Sequence, residues 1–138
     1  MPMKILLDTN ILISAFVFGG KVRKLLYLMA ELEWKICVSE YVEKEFRKKL
    51  NEKWVERSEK IYSEYEKLNL IRLESTDKIL GSLRDDKDVP VLSDAIFHEV
   101  DILLTGDKDF IESEIKTPKI ISPSELFENF LWKGFFYG

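Results

Sequence analysis

Short apolar runs that end on polar, acid-bearing corners recur along this chain, and each pair is separated by enough residues for a helix. The run ending Ile5-Leu6-Leu7 closes on Asp8-Thr9-Asn10, and Ile102-Leu103-Leu104 closes on Thr105-Gly106-Asp107. A run of this length with no polar alternation reads as a strand buried on both faces. Such strands belong to parallel sheets, whose neighbours must be joined by crossovers. Strands are expected at residues 3–7, 34–38, 70–73, 101–105 and 119–121. Between them, apolar residues at helical spacing predict helices over 11–18, 22–32, 40–50 and 51–68. A further helix opens at Asp88, a short one covers 107–113, and the last begins at Ser122-Pro123. The alternation predicts an α/β fold of three layers, α/β/α, with a mainly parallel sheet of about five strands.

A chain of 138 residues can bury a sizeable core, and there is no internal repeat or low-complexity linker to divide it. One domain over 1–138 is expected, with its core in about 3–123 and a C-terminal helix and aromatic tail in 124–138. That tail, Phe130 to Gly138, either folds back on the core or offers a partner surface. The lone Cys37 sits in an apolar run and suits a small core filler in a reducing compartment. No targeting segment or membrane-length apolar run stands out, so a cytoplasmic protein with no membrane partner is expected.

Net charge is −4, which excludes a binder driven by a global basic field. It does not exclude an enzyme that meets phosphates through a cation. Local positive charge is concentrated in Lys44, Arg47, Lys48, Lys49, Lys53 and Arg57, readable as a solvated helix face or as a surface for nucleic acid.

The acids carry the chemistry. Asp8 and Asp107 each follow a strand, and in parallel sheets ligands bind beyond the carboxyl ends of the strands. Two such aspartates can meet in space, where a divalent cation relieves their mutual repulsion. Each also suits a helix cap, the ordinary explanation. In the helix from Glu40, about 100° per residue puts Tyr41, Val42, Phe46 and Leu50 on one apolar face. Glu45 falls inside that face and needs a partner; Glu43 lies at its margin and is held in reserve. Asp85, Asp86 and Asp88 precede a helix with apolar Val91, Leu92 and Ala95. Asp88 shares that face, Asp94 lies on a neighbouring one closer to solvent, and Asp85 suits an outer position. His98 is the only histidine, and without a second histidine or a cysteine partner a zinc site is not expected.

The order of these motifs resembles the PIN-domain family of metal-dependent ribonucleases. The likeness rests on Asp8-Thr9-Asn10, on the Ser39-led helix with Glu45-Phe46, on Arg84 to Leu92, and on Leu104-Thr105-Gly106-Asp107-Lys108-Asp109-Phe110. The run from Arg84 to Phe110 is similar to the branch of toxin–antitoxin toxins related to VapC. The resemblance implies a site of Asp8, Glu45, Asp88 and Asp107 holding one or two Mg²⁺ or Mn²⁺ ions, with Asp8, Asp88 and Asp107 as metal ligands. Asp94 competes with Asp88 for the third position. Thr9, Asn10, Thr105, Asp85 and Asp109 are expected in support. It also implies endoribonuclease activity on single-stranded or structured RNA, an antitoxin partner and a homodimer. Oxygen-only carboxylate sites suit such hard cations.

Overall fold

The structure is a computed structural model and describes residues 3–83 and 86–131. The readings of Asp85 and of the aromatic tail from residue 132 onward fall outside the described residues. Five strands, β1 (Lys4–Leu7), β2 (Lys35–Ser39), β3 (Ile71–Leu73), β4 (Ile102–Leu104) and β5 (Lys119–Ile121), form one sheet in the order β3-β2-β1-β4-β5. Every pairing is parallel, and the register sets Leu6 beside both Cys37 and Leu103, and Leu104 beside Leu7 and Ile121.

Ile5, Leu6, Leu7 and Ile102, Leu103, Leu104 are all completely buried, as strands covered on both faces must be. The covering helices are α1 (Thr9–Ile13), α2 (Gly20–Glu31), α3 (Glu40–Lys53), α4 (Ser58–Lys67), α5 (Val89–Phe97), α6 (Lys108–Ile111) and α7 (Pro123–Leu126). The expected α/β fold with a five-stranded parallel sheet flanked by helices is thus observed. Among the described residues, no helix is long and apolar enough to cross a membrane.

Helix boundaries follow local chemistry. Ser39 ends β2 in extended backbone and accepts the Val42 N–H at 3.3 Å, opening α3. Glu40 and Glu43 in its first turn and Lys53 in its last complement the helix dipole. Pro90 stands in the first turn of α5, where its missing N–H costs no internal bond. Gly19, at φ 77°, separates the π-helical turn Ser14–Phe18 from α2.

The structure departs from the sequence expectation at two places. The helix over 51–68 is broken: α3 stops at Lys53, Trp54 leaves helical geometry at φ −133°, and a 3-10 turn, Val55–Arg57, precedes α4. Long-range contacts make this break. The Trp54 ring meets Phe18 edge-on at 5.9 Å, and Arg57 Nη2 donates to the Val17 carbonyl at 3.3 Å. Asp94 is not near solvent either. It is fully buried, because the polar connection after β3 folds over α5 and gives its carboxylate two donors. Ser75 Oγ donates to Oδ2 and the Thr76 N–H to Oδ1, both at 2.8 Å.

The sheet order creates a crevice. From β1 the chain moves to β2 and then β3 on one side; from β4 it moves to β5 on the other. Right-handed crossovers therefore carry the connections that leave β1 and β4 to opposite faces of the sheet, and the gap between those connections is a topological switch point.

Candidate metal centre

Asp8 leaves β1 at that crevice. Its backbone N–H continues the ladder to the Leu104 carbonyl at 3.0 Å, which fixes the residue against the end of β4. The side chain is only 4% exposed and caps α1, with Oδ1 accepting the Thr9 N–H at 2.8 Å. Oδ2 accepts the hydroxyl of Thr105, a wholly buried residue beyond β4, also at 2.8 Å. Capping and site placement are thus compatible: each oxygen of a carboxylate has a second lone pair after one hydrogen bond.

Asp107 follows by the same logic. Its N–H donates to Thr105 Oγ1 at 3.1 Å, and its Oδ1 accepts the Asp109 N–H at 2.8 Å, opening α6. One carboxylate oxygen from each of Asp88, Asp107 and Asp109 can be chosen so that all lie within 4.8 Å of one another. Asp88 arrives as the last residue of the 3-10 turn Asp86–Asp88, immediately before α5. Asp109, expected only in support, contributes an oxygen to this cluster on the same footing as Asp88. A D-x-D spacing across the start of a helix is the signal for it.

Glu45 reaches the same corner from α3. Thr9 Oγ1 donates a hydrogen bond to its Oε1. Glu43 points elsewhere: its Oε2 accepts from the Tyr65 hydroxyl and from Arg72 Nε, both at 2.7 Å. The reserve residues Glu43 and Asp94 are both occupied with side-chain and backbone donors away from the cluster. Asn10 is exposed in the first turn of α1. His98 Nε2 lies 2.6 Å from the Glu74 carbonyl, a structural contact rather than a ligand position.

Electrostatics tie the two groups together. Burial pushes the Asp8 carboxyl above its ordinary value, and the carboxylates of Glu45 and Asp107 push it further; the Thr105 hydroxyl and the Thr9 N–H oppose the rise. Asp107 therefore belongs both to the Asp8–Glu45 neighbourhood and to the Asp88–Asp109 cluster. A buried acid beside two like charges costs stability unless a cation or a proton joins it. The donors are all oxygens, and Asp88, Asp107 and Asp109 fit a hard divalent cation on chemistry and proximity, with Asp8 close enough to feel the charge of Asp107. Cys37, the only thiol, is buried in β2 and its proton is held more tightly by that burial. It takes no part.

Comparison with known proteins agrees with this architecture. A chain from the crystal structure of VapBC2 from Rickettsia felis, bound to a DNA fragment from their promoter, superposes with a TM-score of 0.67. The match is at 19% sequence identity and covers 87% of this chain and 98% of that one, a likeness of fold. No curated protein matches the sequence. The PIN-domain family model matches residues 4–109, the stretch that contains β1 through β4 and every described acid of the cluster. On that match, the chain belongs to the PIN-domain family.

Proposed function

We propose that this protein is a Mg²⁺- or Mn²⁺-dependent endoribonuclease that hydrolyses phosphodiester bonds of single-stranded or structured RNA, acting in the cytoplasm as the toxin of a toxin–antitoxin pair. One observation carries the reading. Asp8, buried at the switch point, sits among the carboxylates of Glu45 and Asp107, and Asp107 shares a cluster with Asp88 and Asp109. The mutual repulsion of these carboxylates is a cost that a bound cation would relieve.

Asp8, Asp88 and Asp107 would hold the ion, with Asp109 beside them. When bound, a divalent cation supplies positive charge for the phosphodiester and lowers the pKa of a water. The chain's own residues do the rest. Thr105 fixes the Asp8 carboxylate in direction, and the Asp107 N–H fixes Thr105 in turn. Thr9 holds Glu45 by Oε1, leaving Oε2 to orient the attacking water and take its proton. Asn10, exposed in the first turn of α1, would donate to an RNA oxygen.

Family membership supports nuclease chemistry. The likeness to a chain of a VapBC2 complex supports an antitoxin partner, and a homodimer goes with the same reading. The test is incubation of purified protein with labelled single-stranded RNA in Mg²⁺ or Mn²⁺, beside the same reaction with chelator. Cleavage only with metal is expected. Intact RNA throughout, from folded protein that binds Mn²⁺, would leave a non-catalytic PIN-like RNA- or protein-binding module.

A further inference from the structure

Helix α1 with its π-helical extension and helix α3 are pinned together at two points. Near the acids, Thr9 donates to Glu45; at the far end, the Phe18 ring meets Trp54 edge-on at 5.9 Å. Both contacts advance by nine positions along each segment, from 9 to 18 and from 45 to 54. The two segments therefore run parallel, and helical rise makes the seam about 13 Å long. Its first end lies in the acidic corner and its second carries an exposed aromatic surface.

The seam has the charge for a phosphate backbone. Lys49 and Lys53 follow Glu45 at i+4 and i+8, so they continue its stripe along α3 with a drift of about 40° per step. Lys49 is half-buried and Lys53 is exposed, and among the described residues neither forms an ion pair. Lys48, by contrast, faces Glu52 at 4.0 Å, and Arg57 is tied to the Val17 carbonyl. At the end of the stripe Phe18 is 72% exposed and Val55 66%. A large ring so exposed, braced by a second ring and preceded by two lysines, matches the pattern of a base-stacking platform beside a basic groove.

We propose that this seam is the track of a single RNA strand, with Lys49 and Lys53 on its phosphates and one base stacked on Phe18, braced by Trp54. The proposal rests on the ribonuclease reading above and adds a subsite a few nucleotides from the acids. Stacking is indifferent to base identity, so the subsite selects for an unpaired base rather than for a sequence. A duplex, whose bases are already stacked on one another, is excluded from it.

The test measures binding of a fluorescein-labelled single-stranded RNA by anisotropy, in chelator so that nothing is cut, across a range of salt. The proteins are wild type, Phe18→Ala, Phe18→Leu, the double variant Lys49→Ala/Lys53→Ala, and the off-track controls Lys60→Ala and Ile79→Ala. Wild-type cleavage with metal is assayed on the same preparation. Phe18→Ala and Phe18→Leu should each weaken binding about tenfold, because leucine keeps the apolar bulk but not the ring. The double lysine variant should flatten the slope of log K against log salt by about 1.4. The controls should match wild type. Unchanged binding in the track variants of an enzyme that cleaves RNA overturns the track and leaves the ribonuclease reading standing. A wild type that neither binds nor cleaves RNA overturns both. Loss of a wild-type dimer in sedimentation by Phe18→Ala, with RNA binding intact, overturns the track and assigns the patch to a second copy of the chain.

Discussion

The hydroxyl of Thr105 donates to Oδ2 of Asp8 at 2.8 Å, joining residues 97 positions apart. Thr105 Oγ1 in turn accepts the Asp107 N–H at 3.1 Å, so one buried threonine ties the ends of β1 and β4, orienting the Asp8 carboxylate and fixing the backbone of Asp107. Thr105→Val keeps the shape and removes both bonds. Mn²⁺ affinity should fall about 10- to 100-fold, as when an outer partner of a ligand is lost. Calorimetric titration of wild type and variant checks this; equal affinities would remove Thr105 from the site.

Asp8 also sets a pH dependence. Its carboxyl is raised above the unfolded value by burial first, and then by Glu45 and Asp107. The folded state therefore holds a proton that the unfolded state has released, and the metal-free protein loses stability as pH rises from the ordinary aspartate range through the raised folded value. Asp8→Asn removes this charge, so the metal-free variant should melt a few degrees above wild type at neutral pH. The difference should vanish in acid, where Asp8 is protonated in both states. With Mn²⁺ the order should reverse, because only wild type gains from binding. Thermal melts at two pH values, with and without metal, make the comparison.

Glu43 and Glu45 are two residues apart and should behave oppositely. Glu43→Ala leaves the hydroxyl of Tyr65, itself only 1% exposed, without its acceptor, which costs about 1–3 kcal/mol. Cleavage per folded molecule should persist. Glu45→Gln keeps the fold and should lower kcat by about 100-fold or more. Melting curves together with single-turnover rates separate the two.

Asp94 gives a second control from within the acids. Removing a fully buried carboxylate that holds Ser75 and Thr76 should cost about 3 kcal/mol in Asp94→Ala. Mn²⁺ affinity of the surviving folded protein should be unchanged. A large loss of affinity at retained stability would return Asp94 to the site.

The parts of this molecule that could be read from sequence are those that depend on local periodicity. Ile5 to Leu7 and Ile102 to Leu104 are buried strands because nothing polar interrupts them, and Asp8 and Asp107 stand out because they end such runs. Glu45 could be separated from Glu43 by helical angle alone. Contacts between distant segments were not visible. Trp54 breaks a helix that contains no glycine or proline, and what draws it away is Phe18, on another element. Asp94 looked solvent-facing by angle, because the segment that covers it returns from β3. Sequence does not show that Asp109 approaches Asp88, because caps and ligands share the same residue types and the approach depends on how α5 and α6 pack.

The most direct measurement is cleavage of one labelled single-stranded RNA by wild type and Asp8→Asn, side by side in Mn²⁺ and in chelator, with both folds verified by circular dichroism. The expected result is cleavage by wild type in Mn²⁺ alone, and none by the variant under either condition. Equal cleavage by a well-folded Asp8→Asn protein, or cleavage by wild type that persists in chelator, would contradict a metal-dependent site built on Asp8.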